Sequence, residues 1–208
     1  MMHIFLLGGT GRVGSHILQF ALNQGYKVSA LARYCEERNY VQHPNLTWFY
    51  GNALQIEDID RGMRGADVVI SALSTDGTIT LSQSIPLILH SMNQHHINRM
   101  ITIGTAGILS SRSDSTALRY ETGESNRKLV RATKEHHKVY LALEDSEVDY
   151  TIVCPTHMPD GERLGTYRTE AHYLPKDGKK IHVPDVADLA FKLLESSNYH
   201  RIRIGIAY

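Results

Sequence analysis

A chain of 208 residues is long enough for one full α/β domain and leaves little for a second. Lysine plus arginine equals aspartate plus glutamate, 22 each, so the formal charge is zero; nucleic-acid binders carry a basic excess, and no nucleic-acid partner is expected. The 12 histidines add positive charge only below about pH 6.5.

Strand-like and helix-like segments alternate. The apolar run at 2–7 reads as a first strand. The helix expected at 11–23 carries Val13, Ile17, Leu18, Ala21 and Leu22 at helical spacing, and Gly25 is placed to end it. Strands are expected over 27–31 and, between Pro44 and Gly51, over 46–50. A short helix at 56–63 is followed by Gly65, then by a strand at 66–71 that is apolar in its centre, as a strand covered on both faces should be. A helix at 81–95 must hold Pro86 in its first turns or kink there. Strand 99–103, a long helix at 126–146, strand 150–153 stopped by Pro155, helix 185–196 and strand 203–206 complete the series. Such alternation implies parallel strands with helices on both faces: a single-domain α/β fold, a Rossmann-type doubly wound parallel sheet. Two irregular stretches, 106–125 and 156–180, follow strand ends, the edge at which such sheets bind ligands.

Between the first strand and its helix lies Gly8-Gly9-Thr10-Gly11-Arg12-Val13-Gly14. Gly9, Gly11 and Gly14 fit G-x-G-x-x-G, and Gly8, Gly11 and Gly14 fit G-x-x-G-x-x-G. The unpaired N–H groups of a helix start and its partial positive charge suit a pyrophosphate, and glycine permits its close approach. Gly8, Thr10, Gly11, Arg12, Val13 and Gly14 are therefore expected cofactor contacts. The second strand ends Ala30-Leu31-Ala32-Arg33, about twenty residues beyond the glycines, where an acid would select NAD and an arginine accommodates the 2′-phosphate of NADP. Arg33 points to NADP(H), with Arg38 as a second contact; Glu36 and Glu37 would oppose a phosphate if they faced it.

Cys35 and Cys154 have neither metal-ligand nor disulfide-framework spacing, so a reducing cytoplasm is expected. The first apolar run lacks a basic leader and does not read as a signal peptide. No stretch approaches the ~18–20 apolar residues that span a membrane. Adjacent His95-His96 and His136-His137 point to different helix faces and read as solvated surface, so no metal site is expected. The basic stretch Arg127, Lys128, Arg131, Lys134, His136, His137, Lys138 has a solvated face as its simplest account, and an anion-steering role as the other. Cys154 reads as core, and Asp185, after Pro184, as a helix cap. Arg112, Arg119 and Tyr120 are candidates to cover a substrate.

The glycine turn, Arg33, Gly51-Asn52-Ala53-Leu54, Gly65 to Leu73, Ile103-Gly104-Thr105-Ala106 and Asp149-Tyr150-Thr151-Ile152-Val153-Cys154-Pro155 resemble the atypical short-chain dehydrogenase/reductase group. The resemblance is to its biliverdin-reductase-B/flavin-reductase-like and NmrA-like members. It runs nearly end to end, and the short C-terminal part, about 156–208, with His157 and Asp160, is similar to the flavin-reductase-like branch. It implies that Asn52, with Ala53, meets the adenine, that Ala72, Leu73 and Ser74 line the nicotinamide-ribose side, and that Pro155, Thr156 and His157 close over the nicotinamide. Thr105 stands where the family has a serine hydroxyl. Thr105 and His157 are the expected catalytic pair; His157 could donate a hydrogen bond or proton, or simply pack.

The usual alcohol dehydrogenases of this group place a tyrosine four residues before a lysine. Here Lys138 takes the lysine-like position and is preceded by Lys134, while Tyr140 is on another face. A conjugated acceptor needs no strong enzyme acid for hydride transfer, because its ring spreads the charge. The expected function is an NADPH-dependent reductase of a planar aromatic or conjugated small molecule, flavin-like or biliverdin-like. The alternative is a non-catalytic NmrA-like NADP(H) sensor acting through a protein partner. Sugar-nucleotide epimerase chemistry is disfavoured, since it normally needs the tyrosine and a larger C-terminal region.

Overall fold

A computed structural model describes residues 1–33, 41–75, 77–125, 130–196 and 198–208. The elements are β1 (His3–Leu7), α1 (Arg12–Asn23), β2 (Lys27–Ala32), β3 (Leu46–Tyr50), α2 (Ile56–Met63), β4 (Val68–Ser71), α3 (Thr80–Gln94), β5 (Arg99–Ile103), α4 (Arg131–Glu144), β6 (Asp149–Pro155), β7 (Arg168–Ala171), α5 (Val183–Lys192) and β8 (Ile202–Ala207). They build one sheet in the order β3-β2-β1-β4-β5-β6-β8-β7. Every pairing is parallel except β7 with β8. The strand order reverses beside β1, which has β2 on one side and β4 on the other, and the crevice beyond their carboxyl ends is where such sheets take ligands.

Side-chain alternation along the strands divides the core in two. Phe5, Leu7, Val69, Met100 and Ile152 face α2, α3 and α4, with Ile59, Met63, Ile88 and Leu143 packed over them. Ile4, Leu6, Ile70, Ile101 and Val153 face α1 and α5, meeting Ile17, Leu18, Val186 and Ala190. Burial on both faces explains the continuous apolar runs of β1 and β4. Each large aliphatic side chain enclosed in this way contributes roughly 1.5–3 kcal/mol.

Several expectations change in detail. The helix read over 126–146 is described from Arg131 to Glu144, and Arg127 and Lys128 lie outside the described residues. The last helix starts at Val183, because Pro184 is tolerated in a first turn. Pro86 sits in the second turn of α3, where it removes one backbone donor from the ladder. The sequence over β7 predicts irregular chain. Its sequence Arg-Thr-Glu-Ala has no apolar alternation, and it joins the sheet as a short polar edge strand on β8. Among the described residues, no helix is long and apolar enough to cross a membrane.

Candidate functional site

The glycine turn is built by close approach. Gly8 has φ +77°, and a Cβ there would lie 2.5 Å from the Ala72 carbonyl oxygen at the end of β4. A Cβ on Gly14 would lie 2.1 Å from the Gly8 carbonyl oxygen, so Gly14 lets α1 seat on the turn. The Gly11 N–H donates to Gly8 C=O at 2.9 Å, and the Ser15 N–H closes the first helical bond on Gly11 C=O at 2.9 Å. Gly11 is the N-cap and supplies no side-chain cap. The amides of Arg12, Val13 and Gly14 are thus the open donors of the first turn, the arrangement that receives an anion.

The turn opens on a cleft of about 790 Å³ along the carboxyl ends of β1 to β6. A volume in the range of roughly 300–1,000 Å³ is typical of cofactor sites. Gly8, Thr10, Gly11, Arg12, Val13, Arg33, Asn52, Ala53, Ala72, Leu73, Ser74, Thr105, Pro155 and Thr156 all line it. Gly14 does not, because it packs behind the turn. Arg33 sits exposed at the tip of β2. Arg38, Cys35, Glu36 and Glu37 lie outside the described residues. Asn52 donates its N–H to Asp58 Oδ2 at 2.8 Å, while its own Oδ1 accepts the Leu54 N–H at 3.0 Å. The cleft lining among the described residues holds the guanidiniums of Arg12 and Arg33 and the imidazole of His136, and no carboxylate.

Arg12 is engaged across the cleft mouth. Its guanidinium donates to Asp160 Oδ1 at 2.7 and 3.1 Å and to Met158 C=O at 2.8 Å, tying the start of α1 to the segment after β6. Both side chains are exposed, so the ion pair is worth at most about 1 kcal/mol.

The structure does not bring His157 to the cleft wall. Thr156 and Met158 line it, whereas His157 between them is exposed. The chain stays extended past β6: His157 pairs with Lys180, and its C=O accepts the Ile181 N–H at 3.0 Å. Extended backbone sends neighbours to opposite sides, which turns His157 outward. Thr105 is buried at the end of β5 and lines the cleft, and its hydroxyl bonds to no described residue.

The other candidates also separate. Lys138 donates to Glu135 Oε1 at 2.8 Å, and Glu135 Oε2 accepts the Ser82 N–H at 3.2 Å near the start of α3. The cleft face of α4 is Ala132 and His136, so His136 is not simply solvated surface. His137 turns away to the Tyr120 hydroxyl, 2.9 Å distant. His95 meets Asp60 at 3.2 Å. Tyr140 lies under the buried Arg203 guanidinium, 4.2 Å from its ring centroid, and burial raises its pKa to about 12. Burial likewise pushes the Cys154 thiol up to about 12, as a core cysteine requires.

Arg112 pairs with Glu170 at 2.6 Å and Arg119 with Glu124 at 3.7 Å; neither these two nor Tyr120 lines the cleft. Asp185 does not cap its own helix, whose N-cap is His182. It is fully buried and accepts the Leu164 and Gly165 amides at 3.0 and 2.8 Å, anchoring the segment after β6. Sequence reasoning missed the wall formed by Thr75, Ile79, Thr80 and Gln83 between β4 and α3, although its position after a parallel strand was the available signal.

Residues 8–197 match the NAD(P)H-binding family, and the chain belongs to it. A candidate epimerase from Bacteroides thetaiotaomicron is 27% identical with TM-score 0.85, the alignment covering 100% of this chain and 97% of that one. A candidate NADH-flavin reductase from Streptococcus pneumoniae TIGR4 is 21% identical with TM-score 0.83, covering 100% and 99%. An anaerobilin reductase from Escherichia coli O157:H7 is 18% identical with TM-score 0.79, covering 99% and 97%. The photosystem II assembly factor Ycf39 of Synechocystis is 28% identical over 81 residues, 39% of this chain and 25% of that protein, so the match spans a quarter of that relative's length. The fold is the Rossmann-type fold of NAD(P)-binding proteins.

Proposed function

We propose that the protein is an NADPH-dependent reductase of a planar, conjugated acceptor of the flavin or linear-tetrapyrrole type. The observation that carries this reading is one continuous cleft running from Arg33, past the uncapped start of α1, to Thr105, with no carboxylate in its described lining. The turn fits a dinucleotide: the amides of Arg12, Val13 and Gly14 receive the pyrophosphate, and a Cβ at Gly8 would already collide with Ala72. Arg33 takes the 2′-phosphate, in the place where an acid would instead select the free ribose. Asn52 and Ala53 border the adenine. Ala72, Leu73 and Ser74 border the second ribose, and Thr105, Pro155 and Thr156 hold the nicotinamide.

When bound, the reduced cofactor supplies a hydride; the chain supplies position. The segment from 156 onward forms the acceptor side, with Met158 and Ile79 as apolar walls that exclude water. No tyrosine, phenylalanine or tryptophan lines the described cleft, so the acceptor ring stacks on the nicotinamide. The candidate flavin reductase and the anaerobilin reductase share this fold, which supports the acceptor class.

Purified protein mixed with NADPH and FMN, riboflavin or biliverdin is expected to consume reduced nicotinamide. Tight NADPH binding without turnover of any of the three rejects the reductase and leaves the NmrA-like binding role. Arg33→Asp is expected to lower the preference for NADPH over NADH by roughly 10–100-fold, the worth of a charge-assisted phosphate contact of about 1.5–3 kcal/mol. An unchanged ratio removes Arg33 from the phosphate site.

A further inference from the structure

On α4 the residues reaching the cleft are Ala132 and His136, about one turn apart. The neighbours of His136 are committed elsewhere: Thr133 packs against Gly107, Glu135 reaches the start of α3, His137 meets Tyr120, and Val139 enters the core. His136 also borders a second, internal cavity of about 10 Å³ behind the cleft wall. Ser71, Ser84 and Thr102 contribute to its lining, and the Thr102 hydroxyl donates to Ser71 C=O at 3.2 Å. The imidazole therefore borders the cleft on one side and this small space on the other.

Hydride reduction of a conjugated acceptor leaves a proton to be supplied. The hydride carries both electrons from C4 of the dihydronicotinamide, whose C–H bond breaks, and forms a new bond on the acceptor. The acceptor then bears negative charge on a conjugated heteroatom. Among the described cleft residues, guanidiniums hold their protons, hydroxyls are weak acids, and no carboxyl or phenol is present. Imidazole is the one side chain there whose ordinary titration lies near neutrality.

We propose that His136 is the catalytic acid of this reaction, delivering one proton to the acceptor heteroatom as the hydride arrives. The products are the oxidised nicotinamide, the acceptor with one hydride and one proton added, and neutral imidazole, which regains its proton from solvent after release. The proposal rests on the reductase reading and assigns the role that the sequence had suggested for His157.

The experiment compares wild type, His136→Ala and His157→Ala with NADPH and biliverdin or FMN. His136→Ala is expected to lower kcat by roughly 100-fold or more, with KM for NADPH little changed, and added imidazole is expected to restore part of the rate. A second readout needs no turnover: with NADP⁺ bound, adding the acceptor should move the ¹⁵N imidazole resonances of His136. An active wild type with an equally active His136→Ala overturns this proposal alone, as does a loss confined to His157→Ala. Resonances of His136 that ignore the acceptor also overturn it. A wild type that turns over no acceptor overturns the reductase reading, and this proposal with it.

Discussion

The amide of Asn52 shows how one atom can decide recognition. Its Oδ1 accepts the Leu54 N–H at 3.0 Å, which engages one of that oxygen's two lone pairs, while its NH₂ group adds donors that an aspartate lacks. An aspartate here would accept from the adenine 6-amino group; Asn52 also suits a ring acceptor, and a 6-oxo group serves it equally well. With the adenosine placed as proposed, wild type is expected to bind the hypoxanthine analogue of NADPH within about threefold of NADPH. Asn52→Asp is expected to favour adenine by about five- to tenfold, the worth of one net hydrogen bond. Calorimetric titration of both dinucleotides checks this, and wild-type rejection of the 6-oxo cofactor would count against the assignment.

At the scale of elements, the segment after β5 is irregular, as the sequence implies, yet internally bonded. It begins with a 3₁₀ turn, Ala106–Ile108, and polar contacts run between its own residues. The Glu124 carboxylate accepts from Ser111 Oγ at 2.5 Å, Ser113 N–H at 2.8 Å and Arg112 N–H at 2.8 Å. Burial opposes its ionisation, but these hydrogen bonds outweigh the penalty and lower its pKa to about 2. A carboxylate depressed on folding contributes stability above its unfolded pKa of about 4.5, and that contribution is lost as pH falls from there through about 2. Glu124→Gln is expected to cost about 1–3 kcal/mol at pH 7 in urea melts. The gap from wild type should close as pH drops across that window; a constant gap would mean that the charge of Glu124 does not hold the segment. On the other side of the cleft, α5 performs a similar anchoring task. Buried Asp188 receives Arg163, Tyr167 and Lys192 at 2.5, 2.7 and 2.7 Å, and Asp185 receives the Leu164 and Gly165 amides.

For the whole molecule, the cleft draws on the ends of six strands spread along the sequence, so a ligand there ties both halves of the sheet together. A ligand that binds only the folded chain at about 100 times its Kd adds about 2.7 kcal/mol. In a chain of this size that corresponds to a rise in Tm of roughly 5–10 °C. NADPH is expected to produce this shift in thermal melts, and NADH at equal concentration a smaller one. Equal shifts would separate affinity from the 2′-phosphate.

Local patterns sufficed wherever the signal was local. Apolar runs and helical spacing located the strands and helices of the parallel sheet within a few residues, since both strand faces and one helix face must be buried. The glycine turn was legible because Gly8 and Gly14 meet backbone that only a glycine can approach. What the sequence could not order were side-chain directions set by distant partners. His157 turns outward because its backbone pairs with Lys180, and Arg12 is drawn to Asp160. β7 exists only because β8 leaves an edge for it. The cleft face of α4 falls on Ala132 and His136, two residues before Lys134 and Lys138, because Glu135, Val139 and Leu143 are what α3 and the sheet accept as buried. Sequence alone thus determined the fold and the glycine turn that opens on the cleft, since those follow from burial and backbone conformation. Tertiary packing alone decided which helix face and which histidine meet the cleft, since that depends on contacts between residues far apart in the chain.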